Sequence, residues 1–273
     1  MKTINPSELS PMQVQMILQT AVAPRPIALA STIDKNGNVN LSPFSFFNLF
    51  SSNPPILIFS PARRVRDNST KDTLHNVLEV PEVVIGNVNF DMVQQVSLSS
   101  TEYETGVDEF IKSGLTKKPA ELVKPPLIAE SPVNFECKVI EVKPLGNEGG
   151  AGNLVICEVL KIHIREEFLN EEGNLDQKKL DLVSRLGGNW YGRTTAETLF
   201  EVPKPLVTKG IGFDQLPSEI RNSKIFTGND LGMLANVEQL PEGNFSADEN
   251  LHLEAQKLLL EGKIEEAWKI LNI

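Results

Sequence analysis

The chain has 273 residues, enough to bury a core as one large domain or as two small ones. Hydrophobic residues make up 40% of it and charged residues 23%, which is the balance of a globular protein that folds in water. The formal net charge of −10 argues against nucleic acid and anionic membrane surfaces as partners, although it is compatible with a local basic site for a phosphate-bearing ligand.

The first residues do not follow the pattern of an export signal, because "MKTINPSELSP" has proline and glutamate where such a signal has an apolar run. No stretch of the sequence approaches the roughly 18–20 apolar residues of a membrane span. With 2 cysteines the chain cannot build a disulfide framework, so both thiols are expected to be free and buried. We therefore expect a cytoplasmic protein with no membrane partner.

The first elements in chain order are a helix and a hairpin. Ser10 and Pro11 are typical of a helix start, and the helix is predicted to run to about Thr20. "IALASTID" predicts a strand, "DKNGN" carries the Asn-Gly signal of a hairpin turn, and "VNLSPF" predicts the returning strand. "PPILIFSP" and "EVVIGNVN" predict two further strands, with a helix between them over residues 67–80.

The middle of the chain is irregular before strands resume. Residues 92–126 are polar and broken by Gly and Pro, which predicts a long loop with short helices, and long ordered loops are often functional. "VNFECKVIEV" and "NLVICEVLKIHI" then predict a strand pair with a bulge at Ile140. A turn centred near Gly149 places Cys137 opposite a residue near Ile162, and we interpret His163 as structural.

The last part of the chain differs from the rest. The tract from Pro203 to about Gly243 predicts irregular structure. Ser246 and Glu249 then match a capping box, Gly262 matches a helix stop, and "KIEEAWKILNI" predicts a second helix. One helical hairpin cannot bury its own apolar face, so we expect it to pack on the barrel or on a second subunit. We predict one domain at residues 1–207 and an extension, irregular then helical, at residues 208–273.

The common motifs of nucleotide, metal and hydrolase sites are missing from the sequence. "GNEGGAGN" does not match G-x-G-x-x-G, and no Walker A, H-E-x-x-H, C-x-x-C or G-x-S-x-G pattern occurs. The 3 histidines lie far apart in sequence, so we predict no metal site and no catalytic side chain of the usual kinds. If the protein is an enzyme, a cofactor carries its chemistry.

The stretch "NLSPFSFFN", residues 40–48, is apolar but interrupted by hydrogen-bonding side chains. Its phenylalanines are typical of a core, and its serines are typical of turns. We interpret Phe44 as core, while the polar residues around it indicate a surface that holds a ligand.

Three segments read together, "RPIALASTIDKNGNVNLSPFSFFN", "PPILIFSP" and "KDTLHNV", resemble the flavin-reductase-like, FMN-binding split-barrel family, and within it the flavoredoxin-type branch. The resemblance covers residues 23–76 and the strand pair at 133–164, and it extends to "RLGGNWY" but not to the tail. It implies a mainly β protein with flanking helices, an antiparallel Greek-key split barrel that forms a homodimer with FMN near the subunit interface.

The resemblance also implies an activity. Hydride would pass from NADH or NADPH to bound or free flavin, and from there to an acceptor such as a partner oxygenase. Two alternatives stay open: an FMN-binding electron-transfer protein with little NAD(P)H turnover, and a flavin-free relative with a structural or interaction role.

By the same resemblance, one set of residues would bind the cofactor: Ser31, Thr32, Ser45, Phe46, Phe47, Asn48, Ser60, Arg63, Lys71, Asp72 and Thr73. Four of them, Ser45, Phe46, Phe47 and Asn48, would line the ring and the ribityl chain. Ser31 and Thr32, on the preceding strand, would both face the same cleft. The rest would lie near the phosphate, which needs positive charge and N–H donors.

Several neighbouring residues keep two interpretations. Arg63 either contacts the phosphate or is solvated, and Arg25 either approaches the flavin or fixes its loop. Asn189, Trp190 and Tyr191 either cover the flavin ring or the nicotinamide pocket, or form a packing corner. We interpret Arg64 and Arg66 as solvated, and "STEYETGVDEF" as a flap on the substrate side.

Overall fold

The computed structural model describes residues 1–203 and 209–273. The chain forms two compact units, Met1–Phe200 and Glu201–Ile273, which we call unit 1 and unit 2. The predicted domain boundary between residues 207 and 208 lies outside the described residues.

The strands of unit 1 are β1 (Ala28–Ile33), β2 (Val39–Phe44), β3 (Phe47–Ser52), β4 (Pro55–Phe59), β5 (Glu82–Asn87), β6 (Lys117–Lys118), β7 (Leu127–Ile128), β8 (Val133–Pro144), β9 (Asn153–Ile164), β10 (Val183–Arg185) and β11 (Tyr191–Arg193). Its helices are α1 (Pro11–Ala21), α2 (Asp72–Glu79), α3 (Val93–Ser99), α4 (Glu109–Ser113) and α5 (Gln177–Leu180). The main sheet is antiparallel, in the order β2-β1-β5-β8-β9-β4-β3. The predicted mainly β class with flanking helices is confirmed.

The predicted β1–β2 hairpin is confirmed, and its turn explains why it forms. The Asp34 carboxylate accepts hydrogen bonds of 2.8 Å from the backbone N–H groups of Asn36 and Asn38. Gly37 takes a φ of 91°, which glycine adopts without strain. Local contacts within five residues therefore close the hairpin.

Two apolar clusters lie on opposite faces of β1, as the alternation of strand side chains requires. Leu29 packs with Leu41 and with Val96 and Phe110 of α3 and α4. Ala28, Ala30 and Phe44 belong to the other cluster, which α2 completes with Leu74 and Val77. The side chains of β1 are therefore enclosed on both faces.

The β8–β9 pair confirms the predicted bulge at Ile140, since the register shifts between Val139 and Glu141. The predicted partner of Cys137 is wrong. Cys137 pairs with Val159 rather than with a residue near Ile162, because the turn is centred between residues 148 and 149 and the bulge then shifts the register by one further residue. Both cysteines are free and buried, as predicted.

Unit 2 is more regular than predicted. Its helices are α6 (Ser218–Arg221), α7 (Gly228–Leu234), α8 (Glu249–Leu260) and α9 (Ile264–Leu271), so the tract before Gly243 is only partly irregular. The cap of α8 is Asp248, whose side chain accepts from the Asn250 N–H, and not Ser246 as predicted. The helix after Gly262 is confirmed.

The α8–α9 hairpin packs on the segment that precedes it in unit 2. Trp268 is 3% exposed, and its indole N–H donates to the Leu234 carbonyl at 3.2 Å. Leu216, Ile220 and Phe226 join the same cluster. The apolar face that we expected to need the barrel or a second subunit is therefore covered within unit 2. Across residues 1–203 and 209–273, no helix is long and apolar enough to cross a membrane.

Candidate functional site

The bend between β2 and β3 is the centre of the candidate site. Phe44 ends β2 and is buried at 7% exposure, as predicted, whereas Phe46 is 40% exposed and Ser45 is half-buried. The strand pairing of β2 with β1 and of β3 with β4 fixes both sides of this bend. It therefore presents one serine and one phenylalanine at the surface.

Arg25 connects the bend to two other segments of the chain. Its buried guanidinium donates to the carbonyl oxygens of Val22 at 2.6 Å and Leu186 at 3.0 Å, and to Ser45 Oγ at 3.4 Å. Burial and the nearby Arg185 lower the pKa of Arg25. Of its two interpretations, these contacts favour the one in which Arg25 fixes the loop.

Three depressions surround the bend. The first, which we call the polar cavity, has a volume of about 130 Å³. It is lined by Asn40, Ser42, Arg64, Thr70, Lys71, Asp72, Ser99, Thr101, Glu102, Tyr103, Thr105 and Glu109. The predicted flap thus borders it through Thr101, Glu102, Tyr103, Thr105 and Glu109.

Lys71 faces the polar cavity together with a second cation, Arg64. Its Nζ donates to Ser42 Oγ at 2.8 Å and lies 5.4 Å from the centroid of the Phe44 ring. Burial and the charge of Arg64 lower the pKa of Lys71. The carboxylates of Asp72, Glu102 and Glu109 also line the cavity, so its donors to an anion are Lys71, Arg64 and the neighbouring hydroxyl groups. The donor set therefore fits a phosphate group.

A buried network lies beneath the polar cavity. The Thr73 hydroxyl donates to Asn40 Oδ1 at 2.7 Å, and Asn40 Nδ2 donates to Glu109 Oε1 at 2.8 Å. The Leu41 N–H donates to the other Glu109 oxygen at 3.0 Å. Burial raises the pKa of Glu109. Thr73 has no exposed surface, so it orients Asn40 instead of reaching the cavity, contrary to the predicted phosphate contact.

The second depression, which we call the groove, has a volume of about 900 Å³. It runs between α1 and residues 62–66 and contains Phe46 and Arg63. We call the part of the groove that Arg63, Arg64, Arg66 and Glu102 line its end. There the Glu102 carboxylate accepts from Arg64 Nε at 2.9 Å and from Arg66 Nη2 at 2.8 Å. Arg64 is half-buried and also donates to Ser69 Oγ at 2.8 Å, so our interpretation of Arg64 as solvated is wrong.

The third depression, which we call the side cleft, has a volume of about 540 Å³. It brings Ser45 together with Asn189 and Tyr191. The Arg185 guanidinium lies 4.6 Å from the centroid of the Tyr191 ring. Trp190 is 75% exposed. Asn189 and Tyr191 therefore line a cleft at the bend, whereas Trp190 projects outward from the same turn.

Some predicted residues lie away from these depressions. Ser31 and Thr32 have no exposed surface and sit on opposite faces of β1, so the expectation that both face one cleft is wrong. Thr32 Oγ1 accepts from Asn76 Nδ2 at 3.1 Å, which ties β1 to α2. Asn48 is exposed on β3 and accepts from its neighbour's N–H, that of Leu49, at 2.8 Å.

The remaining predicted residues have local roles. Phe47 is half-buried against the cluster that contains Phe44. Ser60 is buried, and its N–H donates to the Phe46 carbonyl at 2.8 Å, which holds the bend against β4. Asp72 lines the polar cavity and accepts from Thr105 Oγ1 at 3.3 Å.

Sequence reasoning missed Asn40, Ser42, Glu102 and Glu109 as residues of the site. Ser42 could have been identified from the sequence. It lies two residues after Asn40, on the same face of a predicted strand that leads to the candidate Ser45. Glu102 and Glu109 lie in the segment interpreted as a flap, but nothing local distinguished them from its other acidic residues, because they meet the site only through the fold.

A family model described as "Flavin reductase like domain" matches residues 21–181. A protein of Halalkalibacterium halodurans is 38% identical over 208 residues, which cover 76% of this chain and 98% of that protein. Nitrilotriacetate monooxygenase component B from Bacillus cereus is similar in structure, with a TM-score of 0.68 and 27% identity over 74% of this chain and 98% of the other.

Two more distant structures show the fold alone. A protein from Shewanella frigidimarina, described as a flavin reductase with a split barrel domain, has a TM-score of 0.62 and 23% identity over 72% of this chain and 95% of that one. Flavoredoxin of Desulfovibrio vulgaris (Miyazaki F) has a TM-score of 0.56 and 21% identity over 68% of this chain and 93% of that one. The predicted split barrel is confirmed.

Proposed function

The chain belongs to the flavin reductase-like family, and from that premise we propose that it is an FMN-dependent oxidoreductase. In this proposal hydride comes from NADH or NADPH, reaches flavin, and passes on to an acceptor such as a partner oxygenase component. The name of the similar Bacillus cereus structure, a component B of a monooxygenase, supports an acceptor of that class.

One observation carries the proposal: β2 lines the polar cavity and leads directly into the bend that exposes Phe46. Ser42 of β2 faces the cavity, and Phe46 lies four residues further on in the bend, where it lines the groove. FMN combines a dianionic phosphate with an apolar ring at its other end. A cavity that holds the donors Lys71 and Arg64, followed by an aromatic surface, matches both ends of that molecule.

We assign the phosphate to Lys71, Arg64, Ser42 and Thr70, which line the polar cavity. Phe46 would support the ring by apolar contact, and Ser45 would offer a hydrogen bond to the ring edge while Arg25 holds it in place. When bound, FMN supplies the hydride-accepting chemistry, which needs no acid or base from the protein. The chain binds, orients and shields the reacting rings, and Asn189 and Tyr191 line the side cleft next to Ser45.

The visible spectrum of the freshly purified protein tests the cofactor. We expect a flavin spectrum, with FMN as the released chromophore. A colourless protein that does not bind added FMN would support a flavin-free relative with an interaction role and would end the proposal.

Stopped-flow mixing with NADH and NADPH tests the reaction. We expect the flavin absorbance to bleach rapidly with at least one nucleotide. If the flavin stays oxidised but a protein donor reduces it readily, the chain is an electron carrier instead of a reductase.

We further propose a homodimer that uses β3 and the surface around it. β3 is an edge strand of the main sheet, and it exposes Leu49 at 61% and Phe50 at 63%. Exposed edges with apolar side chains favour association with another chain. Light scattering after gel filtration is expected to give twice the mass of 30.2 kDa, and Phe50→Glu is expected to give the monomer. A wild-type monomer would contradict this proposal.

A further inference from the structure

The end of the groove contains an unusual concentration of positive charge. Arg63, Arg64 and Arg66 line the groove and lie within four residues of a chain whose net charge is −10. Arg64 and Arg66 share one acceptor, because each donates to a different oxygen of the Glu102 carboxylate, at 2.9 and 2.8 Å. Two guanidinium groups that converge on one carboxylate are also arranged to hold a phosphate.

The charges around this pair remain ionised near neutral pH. Hydrogen bonds from Arg66 and the charges of both arginines lower the pKa of Glu102. The Ser69 hydroxyl and N–H hold the pKa of Asp67 at about 2. Against these two carboxylates stand the three arginines, so the end of the groove keeps a net positive charge. A dianionic phosphate complements it better than a single carboxylate does.

The walls of the groove are different from its end. Leu9, Met12 and Leu18 from the α1 region line it, together with Val65 and Phe46. Its volume of about 900 Å³ falls in the range of sites for organic ligands. The apolar side chains suit an apolar group of a ligand, and the arginines suit a phosphate.

We propose that the groove binds the adenosine half of NADPH, with the 2′-phosphate between Arg64 and Arg66, and that the protein therefore prefers NADPH to NADH. This inference rests on the proposed function, because it requires the nicotinamide to meet a flavin at Phe46. The 2′-phosphate takes the place that the Glu102 carboxylate holds between the two guanidinium groups.

The phosphate of FMN has the same chemistry as the 2′-phosphate of NADPH, so the test has to distinguish these two ligands. Arg64 lines both the polar cavity and the groove. Arg66 lines the groove but not the polar cavity. Arg66 therefore separates the two ligands. Its side chain is 69% exposed, so Arg66→Ala is expected to fold like the wild type.

Isothermal titration of the FMN-loaded protein with 2′,5′-ADP and with 5′-AMP tests the inference, since these probes differ only in the 2′-phosphate. We expect the wild type to bind 2′,5′-ADP at least about tenfold more tightly than 5′-AMP, the scale of a charge-assisted contact. Arg66→Ala should weaken 2′,5′-ADP binding by about tenfold, and Glu102→Gln should strengthen it. Arg165→Ala, which removes another exposed ion-paired arginine, should change neither.

Steady-state kinetics supply the second readout. The ratio of kcat/KM for NADPH over NADH is expected to exceed one and to fall in Arg66→Ala through a higher KM for NADPH. Equal binding of the two probes, or an Arg66→Ala variant that loses FMN while it keeps 2′,5′-ADP, would overturn the inference. Bleaching by NADH and NADPH at equal efficiency overturns it too but leaves the proposed function intact. Tight 2′,5′-ADP binding without any bleaching refutes the reductase and supports the phosphate site.

Discussion

Two buried glutamates in unit 1 have opposite environments. Glu136 on β8 has no exposed surface, accepts the backbone N–H groups of residues 121–123 at 2.6 to 3.0 Å, and pairs with His163 Nε2 at 2.6 Å. Glu109 is 7% exposed, accepts from Asn40 and Leu41, and borders the polar cavity. Both carboxylates are removed from water, but only Glu136 is saturated by donors.

The pKa values follow from that difference. Burial raises the pKa of any carboxyl group, but at Glu136 the donors from residues 121–123 and His163 outweigh it and bring the pKa below its ordinary value. At Glu109 burial outweighs the hydrogen bonds from Leu41 and Asn40, and the pKa is raised. The Glu136 carboxylate, with its four donors, holds a loop against the sheet, whereas a buried carboxylate with fewer donors next to a cavity indicates a site.

Removal of Glu136 is expected to cause the largest effect. Glu136→Ala leaves three backbone N–H groups and His163 without their acceptor, which costs about 3–5 kcal/mol of unfolding free energy. Urea denaturation measures this loss. Glu141→Ala, an exposed change on the same strand, is the control and should stay within about 0.5 kcal/mol of the wild type. Equal losses in the two variants would show that Glu136 does not fasten the loop.

The second prediction concerns Lys71, which lines the same cavity as Glu109. Lys71→Ala removes a donor to a bound phosphate, so we expect FMN affinity to fall about 10- to 100-fold, or about 1.4–2.8 kcal/mol. Quenching of flavin fluorescence on binding measures the affinity. Lys35→Ala, at a 70% exposed lysine paired with Glu79, should bind FMN like the wild type. Unchanged FMN affinity in Lys71→Ala would count against the assignment of the phosphate to this cavity.

The smallest effect is a pair of opposite pH dependences. The raised pKa of Glu109 means that the folded state binds the proton more tightly, so its contribution to stability is lost as pH rises above the ordinary value of 4.5 toward the folded value. The lowered pKa of Glu136 acts the other way, and its contribution is lost as pH falls below 4.5 toward the folded value.

Urea unfolding of Glu109→Gln and Glu136→Gln between about pH 3 and pH 8 measures these two contributions. Relative to the wild type, Glu109→Gln should gain stability toward the upper end of that range. Glu136→Gln should lose more as pH rises from the lower end. If the unfolding free energies of the two variants depended on pH in the same way, Glu136 and Glu109 would not differ in the way that we describe.

Much of the fold was predictable because its signals are local. "VNLSPF" is β2 from end to end, since the Asn-Gly turn and the Asp34 side chain close the hairpin within a few residues. The bulge at Ile140 was visible as a change of face in the alternation of apolar residues. Unit 2 was predicted less well, because α6 and α7 are short and depend on packing against α8 and α9.

The candidate site was predictable in part for the same reason. Lys71 and Asp72 stood out through the basic segment and the "KDT" element, and both line the polar cavity. Thr73 was assigned to the ligand although its hydroxyl is turned inward to Asn40, which no local pattern reveals. Asn40 and Glu109 are 69 residues apart in sequence, so their contact was not predictable.

By itself, the sequence determined the family, the strand pairs closed by short turns, and the concentration of cations in residues 63–71 of an acidic chain. Those features depend on residue types within a few positions of one another. Only the tertiary structure decided which cation faces a cavity, which carboxylate meets which arginine, and which polar side chains of β1 are enclosed. Each of those outcomes depends on contacts between segments that are far apart in sequence and meet only when the sheet and its helices close around them.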